Sequence, residues 1–358
     1  MNQDTPLPPD PTEEQLGPVR AGVMLGLFLA TSAALAVLAV LLPHDPYIRF
    51  QQLRDTIQFR AQWVYERITL DPTPIDVAII GNSRVMSGVS APKLQAALRA
   101  ETGSDVHVAN LAFPQEGRNI HYVVFKRLLD AHPEVKTVVV SLVETMPRIG
   151  HPAFRDLADA GDVATAPILI NPDYGRDLAV LPYRQMSLFA QTLAPGAFGV
   201  SRTLAPGYQG PLLDTTRTFR LPSGKVVDQD TPSPRPKLDI DAERVINGGM
   251  GRLLPRALAN YEYPIERTYT RKIAEMAAKR HIRIIFLRLP IYSDTRNVAD
   301  LQFYRQLGEV VTAEFLVDRP ELYANYGHVD TAGSTLVSHW LAGQLVAMGA
   351  AGAPGGNP

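Results

Sequence analysis

The longest apolar run in the chain, residues 21–42 (AGVMLGLFLATSAALAVLAVLL), carries no charge, and Thr31 and Ser32 are its only polar side chains. At about 1.5 Å per residue a helix over this run extends roughly 33 Å, against about 30 Å for the hydrocarbon core of a bilayer. A soluble surface helix is apolar on one face only, and this run is apolar on all of them. A cleaved leader is the rival reading, with Ala33-Ala34-Leu35-Ala36 as a place to cut. The run exceeds the about 7–15 residues of a leader's apolar region and continues past that place. The pattern therefore predicts an uncleaved membrane-spanning helix behind an N-terminal tail of residues 1–20. It ends sharply at Pro43-His44-Asp45-Pro46.

Residues 43–74 read as a juxtamembrane connector. The stretch 47–70 is polar and Arg-containing, with a helical pattern in which Trp63 and Tyr65 pack on the following domain rather than anchor in the interface. Asp71-Pro72-Thr73-Pro74 breaks it. From residue 75 the pattern alternates. Near-continuous apolar runs at 75–80, 105–109, 137–143 and 282–287 have the length and composition of buried parallel strands. Amphipathic stretches follow: one capped by Ser90 with Pro92 in its first turn, then 120–131, 266–280 and a closing one at 331–348. Strands alternating with helices predict an α/β domain over 75–348, with a doubly wound parallel sheet in three α/β/α layers of the flavodoxin-like kind. Between about 150 and 264 the alternation disappears among Pro, Gly and Asp residues. That stretch reads as an irregular insertion over the sheet edge, a lid or a partner surface. Residues 349–358 read as a flexible tail.

Composition narrows the chemistry. Acids and bases nearly balance at a formal charge of −1, and no Lys/Arg cluster forms a nucleic-acid footprint. The chain has no cysteine, which excludes disulfides, thiolate metal sites and a Cys nucleophile. Its eight histidines are scattered without metal-ligand spacing, so no metal or other cofactor is expected.

In a doubly wound sheet, sites lie off the carboxyl ends of the strands. Ser83, Asn110 and His328 all fall there or just before a helix. Gly81-Asn82-Ser83 makes a tight turn that projects a serine after the first strand, and the next free N–H groups can act as oxyanion donors. By itself a Gly-x-Ser turn is more often plain turn chemistry. Asn325-Tyr326-Gly327-His328 sets a histidine in a loop before the last helix, able to reach across the strand ends to Ser83.

Together these residues resemble the SGNH/GDSL hydrolase superfamily, which has a serine in a Gly-Asp-Ser-like first block and a histidine in an Asp-x-x-His-like last block. Asn82 stands where Asp is usual. Asn110-Leu111-Ala112 is similar to the second block, with Ala112 in place of glycine. Ser141-Leu142-Val143-Glu144-Thr145 occupies the third block without its asparagine. Asn325 stands where the last block has aspartate. The resemblance covers 75–141 and 266–348, and it implies Ser83 as nucleophile, His328 as general base and then acid, and Asn325 as the group that orients it. It also implies an oxyanion hole at the N–H groups of Ser83 and Ala112 beside Asn110. Arg288, at the end of a late strand, lies on the same rim as a pocket residue, and Arg84 either steers an anionic polymer there or, the favoured reading, faces solvent.

An Asn at the acid position orients the imidazole but cannot stabilise an imidazolium by charge, which leaves Glu321, Asp330 or a bare Ser–His dyad as alternatives. Loss of the third-block donor costs about 3–4 kcal/mol of transition-state stabilisation. A slow, specialised enzyme fits these departures, and so does a catalytically silent fold. A membrane anchor followed by such a domain is similar to the DltD and alginate O-acetylation groups. That likeness implies a serine O-acyltransferase or esterase at the outer face of a bacterial cytoplasmic membrane. Its substrate would be an acylated or acyl-accepting cell-envelope glycan, handled beside a multi-span membrane acyltransferase. Basic residues point the other way: Arg20 precedes the span while Arg49, Arg54 and Arg60 follow it, which alone would leave the domain in the cytoplasm.

Overall fold

The computed structural model describes residues 18–248 and 251–351. Its longer or site-bearing helices are α1 (Pro18–Val40), α2 (Ser83–Gly88), α3 (Ala91–Thr102), α4 (Arg118–Ala131), α5 (Tyr174–Leu193), α6 (Pro264–Lys279) and α7 (Thr331–Ala347). Five strands form the central sheet: β1 (Val77–Ile80), β2 (Val108–Asn110), β3 (Thr137–Leu142), β4 (Arg283–Arg288) and β5 (Glu309–Thr312). All pair in parallel, in the order β2-β1-β3-β4-β5.

Alternation along each strand divides the core into two. Ala78, Ile80, Val138, Val140, Ile284 and Phe286 pack beneath α4 and α6, through residues such as Phe125 and Tyr269. Val77, Ile79, Val108, Val139, Ile285 and Leu287 face the other way, against Val85 of α2, Leu94 and Leu98 of α3, and Val337 and Leu341 of α7. Burial on both faces explains why these strands read as continuous apolar runs. The second strand starts at Val108, three residues later than expected. β5, with only partly buried side chains, is the edge strand that the apolar pattern did not reveal.

Among the described residues one helix is long and apolar enough to cross a membrane, Val19–Val40, with mean hydropathy 2.4 and no burial against the domain over that apolar window. The expected connector is instead part of the core. Tyr47, Phe50, Trp63, Val64, Tyr65 and Ile68 are buried in the cluster that includes the sheet, and Tyr47 stacks on Tyr65 with centroids 5.0 Å apart. Arg60 and Arg67 are buried too, capping backbone carbonyls rather than facing lipid headgroups.

The stretch read as irregular contains α5, twenty residues long. Pro182 lies inside that helix and disguised it, because proline removes one backbone donor and usually ends a helical pattern. A second helix, Arg235–Gly248, follows. Of the expected flexible tail, Ala350 and Ala351 are buried and Thr137 donates to the Ala350 carbonyl at 2.6 Å; residues 352–358, like residues 1–17 of the N-terminal tail, lie outside the described residues.

Candidate active site

β1 delivers the chain to Gly81, where any Cβ would collide with the Ser141 side chain and with Val85. Asn82 then caps α2: its Oδ1 accepts the Arg84 N–H at 3.1 Å, while its own N–H donates to Ser141 Oγ at 3.2 Å. Ser83 is thereby held as the first residue of α2, at the switch point between β1 and β3. Gly81→Ala is expected to cost about 1–3 kcal/mol in thermal unfolding, because the methyl overpacks a closed turn. The displaced Ser83 would lose reactivity toward a fluorophosphonate in the same variant.

His328 arrives from the far end of the chain on a two-stranded ribbon, Tyr323–Asn325 paired with His328–Val329. Asn325 Oδ1 accepts the Gly327 N–H at 3.0 Å, which identifies that atom as the oxygen. The same oxygen lies 2.9 Å from His328 Nδ1, so Nδ1 carries the proton and donates to it. His328 Nε2 is then an unprotonated acceptor, 2.7 Å from Ser83 Oγ. This is the tautomer a general base requires. Glu321 is spent on Arg319 at 2.9 Å, and Asp330 caps α7 by accepting the Gly333 N–H at 2.7 Å. Neither carboxylate is hydrogen-bonded to the imidazole.

Removal from water, reinforced by the Arg84 charge, pushes the His328 pKa down to about 4. A lowered imidazole pKa keeps the base neutral, and so competent, down to that range. The rate of Ser83 acylation is therefore expected to hold through the usual imidazole range near pH 6.5 and to fall only toward pH 4. A pH profile of probe labelling with an acid midpoint near 6.5 would contradict this.

The second block is tied inward. Asn110 Nδ2 donates to the Val89 carbonyl at 2.7 Å and to that of Val85 at 2.9 Å, gripping the end of α2. Its Oδ1 accepts the Ala112 N–H at 3.2 Å, so the donor expected at Ala112 is already engaged. Arg60, wholly buried, donates to the carbonyls of Asn110 at 2.9 Å and Ala112 at 3.1 Å from behind. The Ser83 N–H, first in its helix, has no intrahelical acceptor and faces the remaining demand for an oxyanion donor.

Both arginines considered for the rim are held by Glu144, and Arg288 is corrected to a structural role. Arg288 is 1 % exposed; it donates to Glu144 at 3.2 Å, Glu314 at 3.0 Å and the Asp294 carbonyl at 2.9 Å, which leaves no free edge for a substrate. Arg84 donates to the other oxygen of Glu144 at 2.7 Å. Glu144, the third-block residue with no role in the sequence reading, thus holds both guanidinium groups.

A cavity of about 330 Å³ opens beside Ser83 and His328. Its wall is mainly apolar: Ile57 and Phe59 from the stretch after α1, Met86 from α2, and Phe219, Leu221 and Val227 from a ribbon in the insertion. Buried Gln229 lines it as well, donating to Ser87 Oγ at 2.8 Å and leaving its Oε1 without a partner. Sequence reasoning missed this wall. A signal was present in Phe219 to Val227, where two apolar pairs flank Pro222-Ser223-Gly224, the composition of a hairpin turn. Nothing in the sequence pointed to Ile57 or Phe59. No family model matches the chain, and no curated protein matches its sequence.

Proposed function

We propose that this protein is a membrane-anchored serine acyl-transfer enzyme of the SGNH/GDSL hydrolase type. The observation that carries the reading is the line Ser83 Oγ, His328 Nε2, His328 Nδ1, Asn325 Oδ1, with the tautomer set for base catalysis. Its strand order is that of flavodoxin-like doubly wound sheets, which supports the same class. In the reaction, His328 Nε2 takes the Ser83 proton as Oγ attacks the acyl carbonyl. The oxyanion develops near the Ser83 N–H. Collapse breaks the bond to the leaving alcohol, which receives the proton from His328. Water or an acceptor hydroxyl then attacks the acyl-serine by the reverse sequence, giving hydrolysis or transfer.

By resemblance to the DltD and alginate O-acetylation groups, the acceptor is a cell-envelope glycan, the domain lies outside a bacterial cytoplasmic membrane, and a multi-span acyltransferase supplies the acyl group. A catalytically silent binding or scaffold role is favoured by two observations, Asn325 in the acid position and the engaged Ala112 N–H. One experiment separates the two. Fluorophosphonate treatment of the full-length protein in detergent is expected to modify Ser83, with no labelling of Ser83→Ala. A folded wild type that takes no label would establish the silent reading.

The apolar wall carries a further expectation. Each methylene buried contributes about 0.8 kcal/mol, so a butyryl ester should acylate Ser83 roughly tenfold faster than the acetyl ester of the same alcohol. Stopped-flow release of p-nitrophenol measures it, and equal rates would mean that the acyl group does not enter this cavity.

A further inference from the structure

We infer that the insertion seats the domain in the interface of the same membrane that α1 spans, with lipid as the occupant of an apolar groove between α1 and α5. Ala36, Val37 and Val40 at the end of α1 line this groove with Leu178, Leu181 and Pro182 of α5, enclosing about 510 Å³. Gln185 of α5 donates to the Val40 carbonyl at 3.1 Å, which fixes α5 at the level of the last turn of the span. A 22-residue span occupies roughly 33 Å and fills the hydrocarbon, so its last turn and the α5 residues beside it sit at the boundary between acyl chains and headgroups.

Large apolar side chains are exposed on α5 and in the loop just before it. Ile168, Leu169 and Ile170 are 64 %, 68 % and 52 % exposed, and Tyr183 and Met186 project from α5 at 73 % and 48 %. Ile170 holds φ +53°, a conformation that costs a β-branched residue free energy, in a loop that presents three large aliphatic side chains outward. Leu178 to Pro182 lie beside Ala36 to Val40, Gln185 meets Val40 and Thr192 meets Asp45, so α5 runs alongside the end of α1 and its first turns, with the loop before them, reach toward the acyl chains. The charges at the start of α5 are paired with one another: Arg176 lies 2.8 Å from Asp173 and 3.6 Å from Asp177.

The chain leaving the span is also fastened to α5 rather than hanging from it. The Asp45 N–H donates to Thr192 Oγ1 at 3.0 Å, and Gln52 Nε2 to Gln191 Oε1 at 2.8 Å. Gln51 bonds the Ser201 backbone in both directions, at 2.7 and 2.8 Å. Only six residues after Gln51 the chain reaches Ile57 in the wall of the Ser83 cavity. The domain is therefore held at one height over the bilayer, and its cavity serves substrates at the membrane surface.

The absence of cysteine makes the test direct. Leu169→Cys, Tyr183→Cys, Leu41→Cys and Leu253→Cys, all at exposed positions, are labelled with an environment-sensitive fluorophore in the full-length protein. Each is reconstituted in phosphatidylcholine–phosphatidylglycerol vesicles with or without brominated acyl chains. Emission at positions 169 and 183 is expected to fall to about half or less with brominated lipid, as at position 41, while position 253, which is not among the residues lining the groove, is unaffected. Positions 169 and 183 behaving like 253 would overturn the inference. So would energy transfer between copies at 169 with no response to brominated lipid, which would make the occupant a second copy.

Discussion

His328→Ala is expected to slow acylation of Ser83 by about 10³-fold or more, while Asn325→Asp is expected to raise it by about tenfold or more. The two come from the same geometry. Without an acceptor 2.7 Å from Oγ, the hydroxyl keeps its proton and is a poor nucleophile. Asn325 already supplies orientation, through one oxygen shared between Gly327 and the imidazole. It lacks the charge that stabilises the imidazolium formed as the proton arrives. A carboxylate of nearly the same shape would keep both hydrogen bonds and add that charge. It would also raise the His328 pKa from about 4, moving the acid limb of the pH profile upward. Rate constants for fluorophosphonate labelling across pH, measured for the wild type and both variants, test the pair. A faster His328→Ala or a slower but folded Asn325→Asp would mean that this dyad is not the reacting one. Thermal unfolding of each variant separates lost chemistry from lost fold.

The parts of this molecule that the sequence disclosed are those with a strong periodic or compositional signal. The first and third strands are buried on both faces and so read as unbroken apolar runs. Gly81-Asn82-Ser83 was legible because a Gly-x-Ser turn follows directly on an apolar strand run. Ser83 and His328 are 245 positions apart, yet the strand–helix frame already directed both to the carboxyl edge of the sheet. What stayed hidden depends on pairings with no local signature. Arg288 reads as a free cation until Glu144, Glu314 and Asp294 are brought around it. The packing of Trp63 and Tyr65 on the domain was legible in residues 47–70, but the depth to which Tyr47, Phe50 and Ile68 join the same core was not. The cavity wall joins residues 57–59 to 219–229, a closure across more than a hundred residues that no window of sequence contains.

Glu266→Ala is expected to destabilise the domain by about 3–5 kcal/mol, the larger of the predicted effects on folding. Glu266 is 2 % exposed on α6, and its Oε1 accepts Arg118 Nη2 at 2.7 Å, Arg118 Nε at 3.0 Å and the Tyr304 hydroxyl at 2.8 Å. Arg118, 4 % exposed at the start of α4, also reaches the Ser141 carbonyl at 3.0 Å and His121 Nδ1 at 3.1 Å. Removing the carboxylate leaves a buried guanidinium without a counter-charge, and that penalty exceeds the loss of the hydrogen bonds themselves. The double variant Arg118→Leu with Glu266→Leu removes both charges, and it should recover much of the loss if the penalty is the unpaired cation. Denaturant unfolding of the wild type, the single variant and the double variant decides it. A double variant no more stable than Glu266→Ala would show instead that the network's worth lies in its hydrogen bonds. The consequence would extend to the candidate site, because Ser141 is the residue whose carbonyl Arg118 holds and whose hydroxyl accepts the Asn82 N–H. A change in labelling rate for Glu266→Ala beyond its unfolded fraction would trace that connection from the packed interior to Ser83.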